Sequence, residues 1–219
     1  MVLKLVGSAT STCTRRVALV LVEKKVPFEF VSINLAKGEH KAPEFVSQQP
    51  FGQVPYMIDD DGFVLYESRA ICRYIAEKYA GQGTQLIPTD PKGKALFEQA
   101  ASIEFANFDP FASKAVFENV FKPMRGMTPD KAAFDALITG LSAKLDAYEV
   151  ILGKQKYLAG DVLITLADLF HIPYGSMLKT AGSDIMSTKG PNVTRWFNDI
   201  TQRQAWLAVK DGCKSFSSY

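Results

Sequence analysis

The chain lacks the features that would send it to a membrane, an export route or a nucleic acid. Its longest apolar run, residues 17–22, falls far short of the roughly 20 residues that a membrane-spanning helix needs. The opening Met1-Val2-Leu3-Lys4-Leu5-Val6 has neither the length nor the basic flank of a signal peptide. The 25 Lys and Arg residues are scattered and nearly balanced by 23 Asp and Glu, so nothing in the charge calls for nucleic acid. Three cysteines, Cys13, Cys72 and Cys213, are an odd number at wide spacing, which forms no disulfide or metal pattern and fits a reducing cytosol. The expected location is therefore cytoplasmic, with no metal. The only histidines are His40 and His171, and no Gly-x-Ser-x-Gly is present, which leaves a serine hydrolase without its usual parts. Internal repeats and low-complexity stretches are also missing.

What remains is an ordinary globular composition, 47% hydrophobic and 22% charged. Its 219 residues make room for one large domain or two small ones. Residues 2–6 read as a first strand and 7–10 as a loop. Ser11-Thr12-Cys13-Thr14 offers several helix N-caps before the run 17–22. That run is rich in β-branched residues, but its length with flanks favours a buried helix, which Pro27 ends. Phe28-Glu29-Phe30-Val31-Ser32-Ile33 alternates as a second strand, so the first crossover is parallel and right-handed. A short helix is expected from Pro43 to about Ser47. Tyr56-Met57-Ile58 and Phe63-Val64-Leu65 flank Asp59-Asp60-Asp61-Gly62, which is hairpin chemistry. A helical pattern then runs from Ser68 to Tyr79.

The order βαβ-α-ββα is that of a thioredoxin-like domain, placed at residues 1–80. Residues 81–91 hold glycines and prolines among polar residues and read as a linker. Residues 92–219 read as an all-helical domain, giving an α/β plus all-α fold class. Within it, the segment 92–121 is expected to be interrupted at Asp109-Pro110. Residues 129–153, 192–200 and 204–212 are further helices. Thr165-Leu166-Ala167-Asp168 resembles a capping box with Asp in place of Glu or Gln.

The chain is organised around Pro50-Phe51-Gly52-Gln53-Val54-Pro55 and Tyr66-Glu67-Ser68-Arg69-Ala70-Ile71. Pro55 opens a strand and gives no N–H to a ladder, which leaves the backbone of Val54 to pair with something else, for example an extended peptide laid against the edge. Ser68 stands where a helix starts, and free N–H groups there attract a carboxylate. One patch could thus hold both the backbone and the carboxylate of a short acidic peptide.

These runs, with Gly38-Glu39-His40-Lys41, resemble those of cytosolic glutathione transferases, most closely the phi class of plants and fungi. Order and spacing hold across nearly the whole chain. The resemblance implies a cis Val54–Pro55 bond, with Val54 pairing to the cysteinyl backbone of glutathione. It implies that Ser11, at the start of the first helix, donates a hydrogen bond to the glutathione sulfur. A hydroxyl at a helix N-terminus suits that role, although the same residue read alone is a helix cap. His40, Lys41 and Gln53 would bind the glycyl end, and Glu67 and Ser68 the γ-glutamyl end. Thr10, Thr12, Leu35, Phe117 and Phe121 would line the pocket for a second, hydrophobic substrate. Glutathione would be the co-substrate with no other cofactor, and the protein would be a homodimer.

Two rivals stay open. Cys13 lies near a helix N-terminus, where a thiol can become reactive, so the chain could be a Cys13-based thiol transferase. Against this, Ser11-Thr12-Cys13-Thr14 lacks the second cysteine of a dithiol motif. The chain could also be a non-catalytic carrier of hydrophobic ligands. Phe105, Phe108, Phe111, Phe117 and Phe121 crowd one segment, and His171 in its apolar stretch reads as a satisfied core histidine.

Overall fold

A computed structural model describes residues 2–218. By their contacts these form two units, one up to Gln85 together with the stretch from Gln204 onward, the other Leu86–Arg203.

The first unit carries a four-stranded sheet in the order β2-β1-β3-β4, with β1 Leu3–Gly7, β2 Phe28–Ser32, β3 Tyr56–Ile58 and β4 Val64–Tyr66. β1 pairs parallel with β2 and antiparallel with β3, and β3 pairs antiparallel with β4. Its helices are α1 Thr12–Glu23, α2 Pro43–Gln48 and α3 Ser68–Lys78. This is the thioredoxin-like arrangement expected from the element order. In α1, Val17, Ala18, Leu19, Val20 and Leu21 are all fully buried, so the β-branched run is a helix apolar on every side. Ile71, Cys72, Ile75 and Ala76 form the buried face of α3. On the other side of the sheet Phe45 of α2 packs with Val6 and Tyr56. The hairpin turn closes through Asp59 N–H to Phe63 O at 2.8 Å and Gly62 N–H to Asp59 O at 3.0 Å.

The second unit is helical: α4 Pro91–Ile103, α5 Asp109–Val116, α6 Lys122–Met124, α7 Lys131–Leu152, α8 Leu166–Phe170, α9 Ile172–Thr180, α10 Ile185–Thr188 and α11 Pro191–Thr201. The expected interruption at Asp109-Pro110 does not end the helix. A π-helical turn, Glu104–Phe108, precedes it, and Pro110 enters at the second position of α5. The wider turn accommodates a proline that lacks an N–H. A second π-helical turn spans Phe117–Phe121. The Thr165 capping box forms, with Thr165 N–H on Asp168 Oδ2 at 2.8 Å. Asp168 Oδ1 also accepts from Trp196 Nε1 and from Leu158 N–H, both at 2.9 Å. His171 is fully buried, with Nδ1 2.7 Å from Ala167 O and Nε2 3.0 Å from the Tyr148 hydroxyl. It is the satisfied core histidine that its apolar surroundings suggested.

The last helix, α12 Gln204–Val209, belongs to the first unit and not to the helical domain expected over 92–219. Helical periodicity in 204–212 says that a helix forms but not what it packs on. Here α12 lies along α1, and the residues after it pair with β2, through Phe28 N–H to Phe216 O at 2.9 Å and Phe216 N–H to Phe28 O at 3.0 Å.

Candidate functional site

Every residue expected to hold glutathione lies in the first unit. Ser11 is the N-cap of α1, with extended backbone (φ −62°, ψ 131°), and its Oγ accepts from Thr14 N–H at 3.4 Å. Its carbonyl accepts from Arg15 N–H at 2.9 Å, the first bond of the helix. Gly7, at the end of β1, brings this corner together. A Cβ on Gly7 would lie 2.5 Å from Thr14 Oγ1 and 3.3 Å from Pro55 Cβ. Only a residue without a side chain lets the first turn of α1 and Pro55 meet over it. The Val54–Pro55 bond is cis, as the resemblance implied. Val54 itself is half-buried, just before β3.

His40 and Lys41 sit in a 3₁₀ turn, Glu39–Lys41, that follows Gly38 in the left-handed conformation. The turn is folded against the loop before Val54. Lys41 Nζ donates to Phe51 O at 3.1 Å. Gly52 has φ 57°, and a Cβ there would come within 2.8 Å of Lys41 Nζ and 2.9 Å of His40 O. Gln53 is exposed, and its N–H is held by Gln49 Oε1 at 3.2 Å.

At the other end, Glu67 is exposed with φ 69° and ψ 106°, an uncommon conformation for a residue with a side chain. Backbone strain of this kind collects at ligand clamps. Glu67, not Ser68, takes the N-cap position of α3. The Ser68 hydroxyl is engaged elsewhere. It accepts from the fully buried Arg16, whose Nη1 lies 2.9 Å away. The same Nη1 lies 3.4 Å from Cys13 Sγ. Cys72, one turn beyond Ser68, donates its thiol to Arg16 O at 3.6 Å, and burial pushes that thiol up to about 12.

Arg16 and Gly7 were not singled out from the sequence. The available signal for Arg16 was a charged residue abutting an apolar run that turns out to be buried on all sides. Of the residues expected to line the second pocket, Thr10 and Leu35 are exposed and Thr12 is buried in the first turn of α1. Phe117 and Phe121 are half-buried at the two ends of the second π-helical turn, in the other unit. Of the remaining phenylalanines, Phe108 is fully buried 4.6 Å from the His171 ring, whereas Phe105 is exposed.

Among the described residues, Asp59, Asp60 and Asp61 place carboxylate oxygens within 4.8 Å of one another. This cluster is already served by a cation: Lys78 Nζ lies 2.7 Å from Asp59 Oδ2 and 2.8 Å from Asp60 Oδ1. The Tyr74 hydroxyl also donates to Asp59. No helix among the described residues is long and apolar enough to cross a membrane.

Comparison with known proteins agrees with this fold. The family model described as glutathione S-transferase, N-terminal domain, matches residues 1–77, and the glutathione S-transferase C-terminal domain model matches residues 108–204. The chain is 47% identical over 197 residues to glutathione S-transferase PM239X14 of Arabidopsis thaliana, covering 89% of each chain. It is 43% identical to glutathione S-transferase hmp2 of Hypomyces subiculosus, over 94% of this chain and 97% of that one. Among solved structures, glutathione transferase F7 from Populus trichocarpa superposes with a TM-score of 0.92 at 41% identity, covering 96% of this chain and 98% of that one. Glutathione S-transferase I from mais, bound to an atrazine glutathione conjugate, superposes with a TM-score of 0.87 at 32% identity, over 96% and 97%. The chain belongs to the glutathione S-transferase family and resembles its phi class.

Proposed function

We propose that this enzyme conjugates glutathione to hydrophobic electrophiles, with the Ser11 hydroxyl stabilising the bound thiolate. The observation that carries this reading is the meeting of two parts over Gly7: the first turn of α1, which Ser11 caps, and Pro55. A peptide paired with the backbone of Val54 would have its central residue beside that turn. His40, Lys41 and Gln53 would then hold its glycyl end, and Glu67 and Ser68 its γ-glutamyl end. Glu67 supplies a carboxylate for the ammonium. The start of α3 supplies N–H groups for the carboxylate.

The thiolate attacks the electrophilic carbon and forms the new S–C bond. The leaving group, chloride in a chloro-nitro-aromatic, departs with its electron pair, and the thiol proton goes to water. Hydroperoxide reduction uses the same thiolate: two glutathione thiols are oxidised to the disulfide while the hydroperoxide is reduced to alcohol and water. Thr10, Thr12, Leu35, Phe117 and Phe121 are the proposed surroundings of the electrophile, and a relative bound to an atrazine glutathione conjugate supports that substrate class. Domain roles follow: residues 1–80 bind glutathione, 81–91 link, and the helical part supplies apolar surface.

Turnover of a chloro-nitro-aromatic with glutathione tests the proposal. Saturable glutathione-dependent conjugation is expected. Reduction of mixed disulfides without conjugation would point instead to Cys13, and ligand binding without turnover to a carrier. We also propose a cytoplasmic homodimer. Phe51 is 63% exposed, with its ring centroid 6.2 Å from that of Tyr66 in an edge arrangement, which leaves an aromatic face for a second copy. Sedimentation at micromolar concentration should give twice 24.2 kDa, and a species at 24.2 kDa would refute the dimer.

A further inference from the structure

We infer that the C-terminal segment from Lys210 to Phe216 is a positioning element for Ser11, an inference that rests on the thiolate-stabilising role proposed above. Two of its anchors bracket that residue. On the near side, Cys213 N–H donates to Ala9 O at 2.9 Å, in the short loop whose other closure is Ser11 N–H to Ser8 O at 3.1 Å. On the far side, the buried Arg15 donates from Nη1 to Lys210 O at 2.6 Å and stacks 5.7 Å over the Trp206 ring. The backbone N–H of this same Arg15 binds Ser11 O. Its side chain is therefore tied to the C-terminal segment while its main chain is tied to Ser11.

The segment has its own fixtures. Gly212 takes φ 149°, which a residue with a side chain rarely adopts, and so turns the chain to bring Cys213 onto Ala9. Beyond the turn, Ser215 Oγ accepts from Phe30 N–H at 2.9 Å. The Phe216 ring stacks on Phe28 with centroids 5.7 Å apart, and the paired backbones of these two residues close the edge of β2. The segment thus reaches from the outer strand to the loop that carries Ser11.

A hydroxyl stabilises a thiolate only over a narrow range of distance and angle, so small displacements of the capped turn are costly to rate. None of these C-terminal residues is assigned contact with glutathione. They act through the backbone on either side of Ser11. The ionisable groups on the packed elements are Cys13, Arg15, Arg16 and Glu23 of α1, Glu29 of β2, and Lys210, Asp211, Cys213 and Lys214 of the segment. Burial pushes the Cys213 thiol up to about 12, so it stays neutral through the working range.

The test uses the full chain, Ser11→Ala and three further variants. Arg15→Met keeps an apolar stem and removes the guanidinium, with its donor and its stacking over Trp206, Arg15→Lys restores a cationic donor, and Gly212→Ala opposes the turn. The readout is the pH profile of conjugation at saturating glutathione, with thermal melting to show that each variant is folded. Arg15→Met and Gly212→Ala should raise the apparent pKa of the bound thiol by about one unit, a roughly ten-fold loss below it. The loss should vanish by pH 9, and Arg15→Lys should recover most of it. Added to Ser11→Ala, neither change should cost anything further. A loss equal at all pH values, or one additive with Ser11→Ala, would overturn the inference. If Ser11→Ala alone shifts the profile and the other variants do not, only the positioning role falls. If Ser11→Ala does not shift it, the role of Ser11 falls and the inference with it.

Discussion

The Arg16 guanidinium donates to the Ser68 hydroxyl at 2.9 Å, across the buried contact between α1 and α3. This bond joins the helix capped by Ser11 to the helix whose start is proposed to hold the γ-glutamyl end. The same Arg16 Nη1 lies 3.4 Å from Cys13 Sγ.

Ser68→Ala removes that acceptor from a buried cation. A hydrogen bond to a charged group contributes about 1.5–3 kcal/mol. Chemical denaturation should show a loss of this size with an unchanged slope, and glutathione binding should weaken alongside it. A midpoint that does not move would mean that Arg16 is held well enough without Ser68.

Cys13→Ser should leave conjugation nearly unchanged. Cys13 is half-buried in the first turn of α1, two residues on from the cap, and its sulfur faces Arg16. Steady-state turnover of a chloro-nitro-aromatic checks this. If Cys13→Ser abolishes activity while Ser11→Ala does not, the roles are reversed and thiol transfer is the chemistry.

Acid stability should depend on Asp59. Burial alone would raise its pKa, but hydrogen bonds from Lys78, Tyr74 and the Asp60 N–H outweigh it and hold the carboxyl below its ordinary range. In return, the Tyr74 hydroxyl is pushed up to about 12, chiefly by its bond to Asp59. A carboxyl lowered on folding adds stability above its unfolded value of about 3.9, and that stability is lost as pH falls through the lower folded value. The native chain should therefore be more stable than Asp59→Asn at pH 7, and the gap should close as the medium is acidified below about pH 4. Denaturation series at several pH values would show it, and a gap that stays constant would contradict the assignment.

Much of this was legible in the sequence because it depends on neighbours in the chain. The Asp59-Asp60-Asp61-Gly62 turn, the Thr165–Asp168 capping box and the helix over the run 17–22 are all local patterns. The corner at Pro55 was legible through the resemblance. Long-range partnerships were not. The periodicity of 204–212 reads as a helix, but the bond from Arg15 to Lys210 spans 195 residues. Burial of Arg16 depends on Ser68, 52 residues on. Asp109-Pro110 reads locally as a break, yet the π-helical turn before it carries the helix through. The five residues proposed around the electrophile came from resemblance alone, since pocket shape has no signature in a run of phenylalanines.

Ser11 bears the central claim. A free thiol has a pKa of about 8.5, so only a few per cent is thiolate at pH 7. One hydrogen bond to the charged form, at roughly 1.5–3 kcal/mol, lowers that by about one to two units, to roughly 6.5–7.5. The most direct measurement is the pH dependence of conjugation by Ser11→Ala beside the native chain, with glutathione binding measured in parallel. The rate should fall about ten-fold or more at pH 7, the deficit should shrink toward pH 9, and binding should change little. A native-like rate at pH 7, or a deficit of the same size at every pH, would contradict the account.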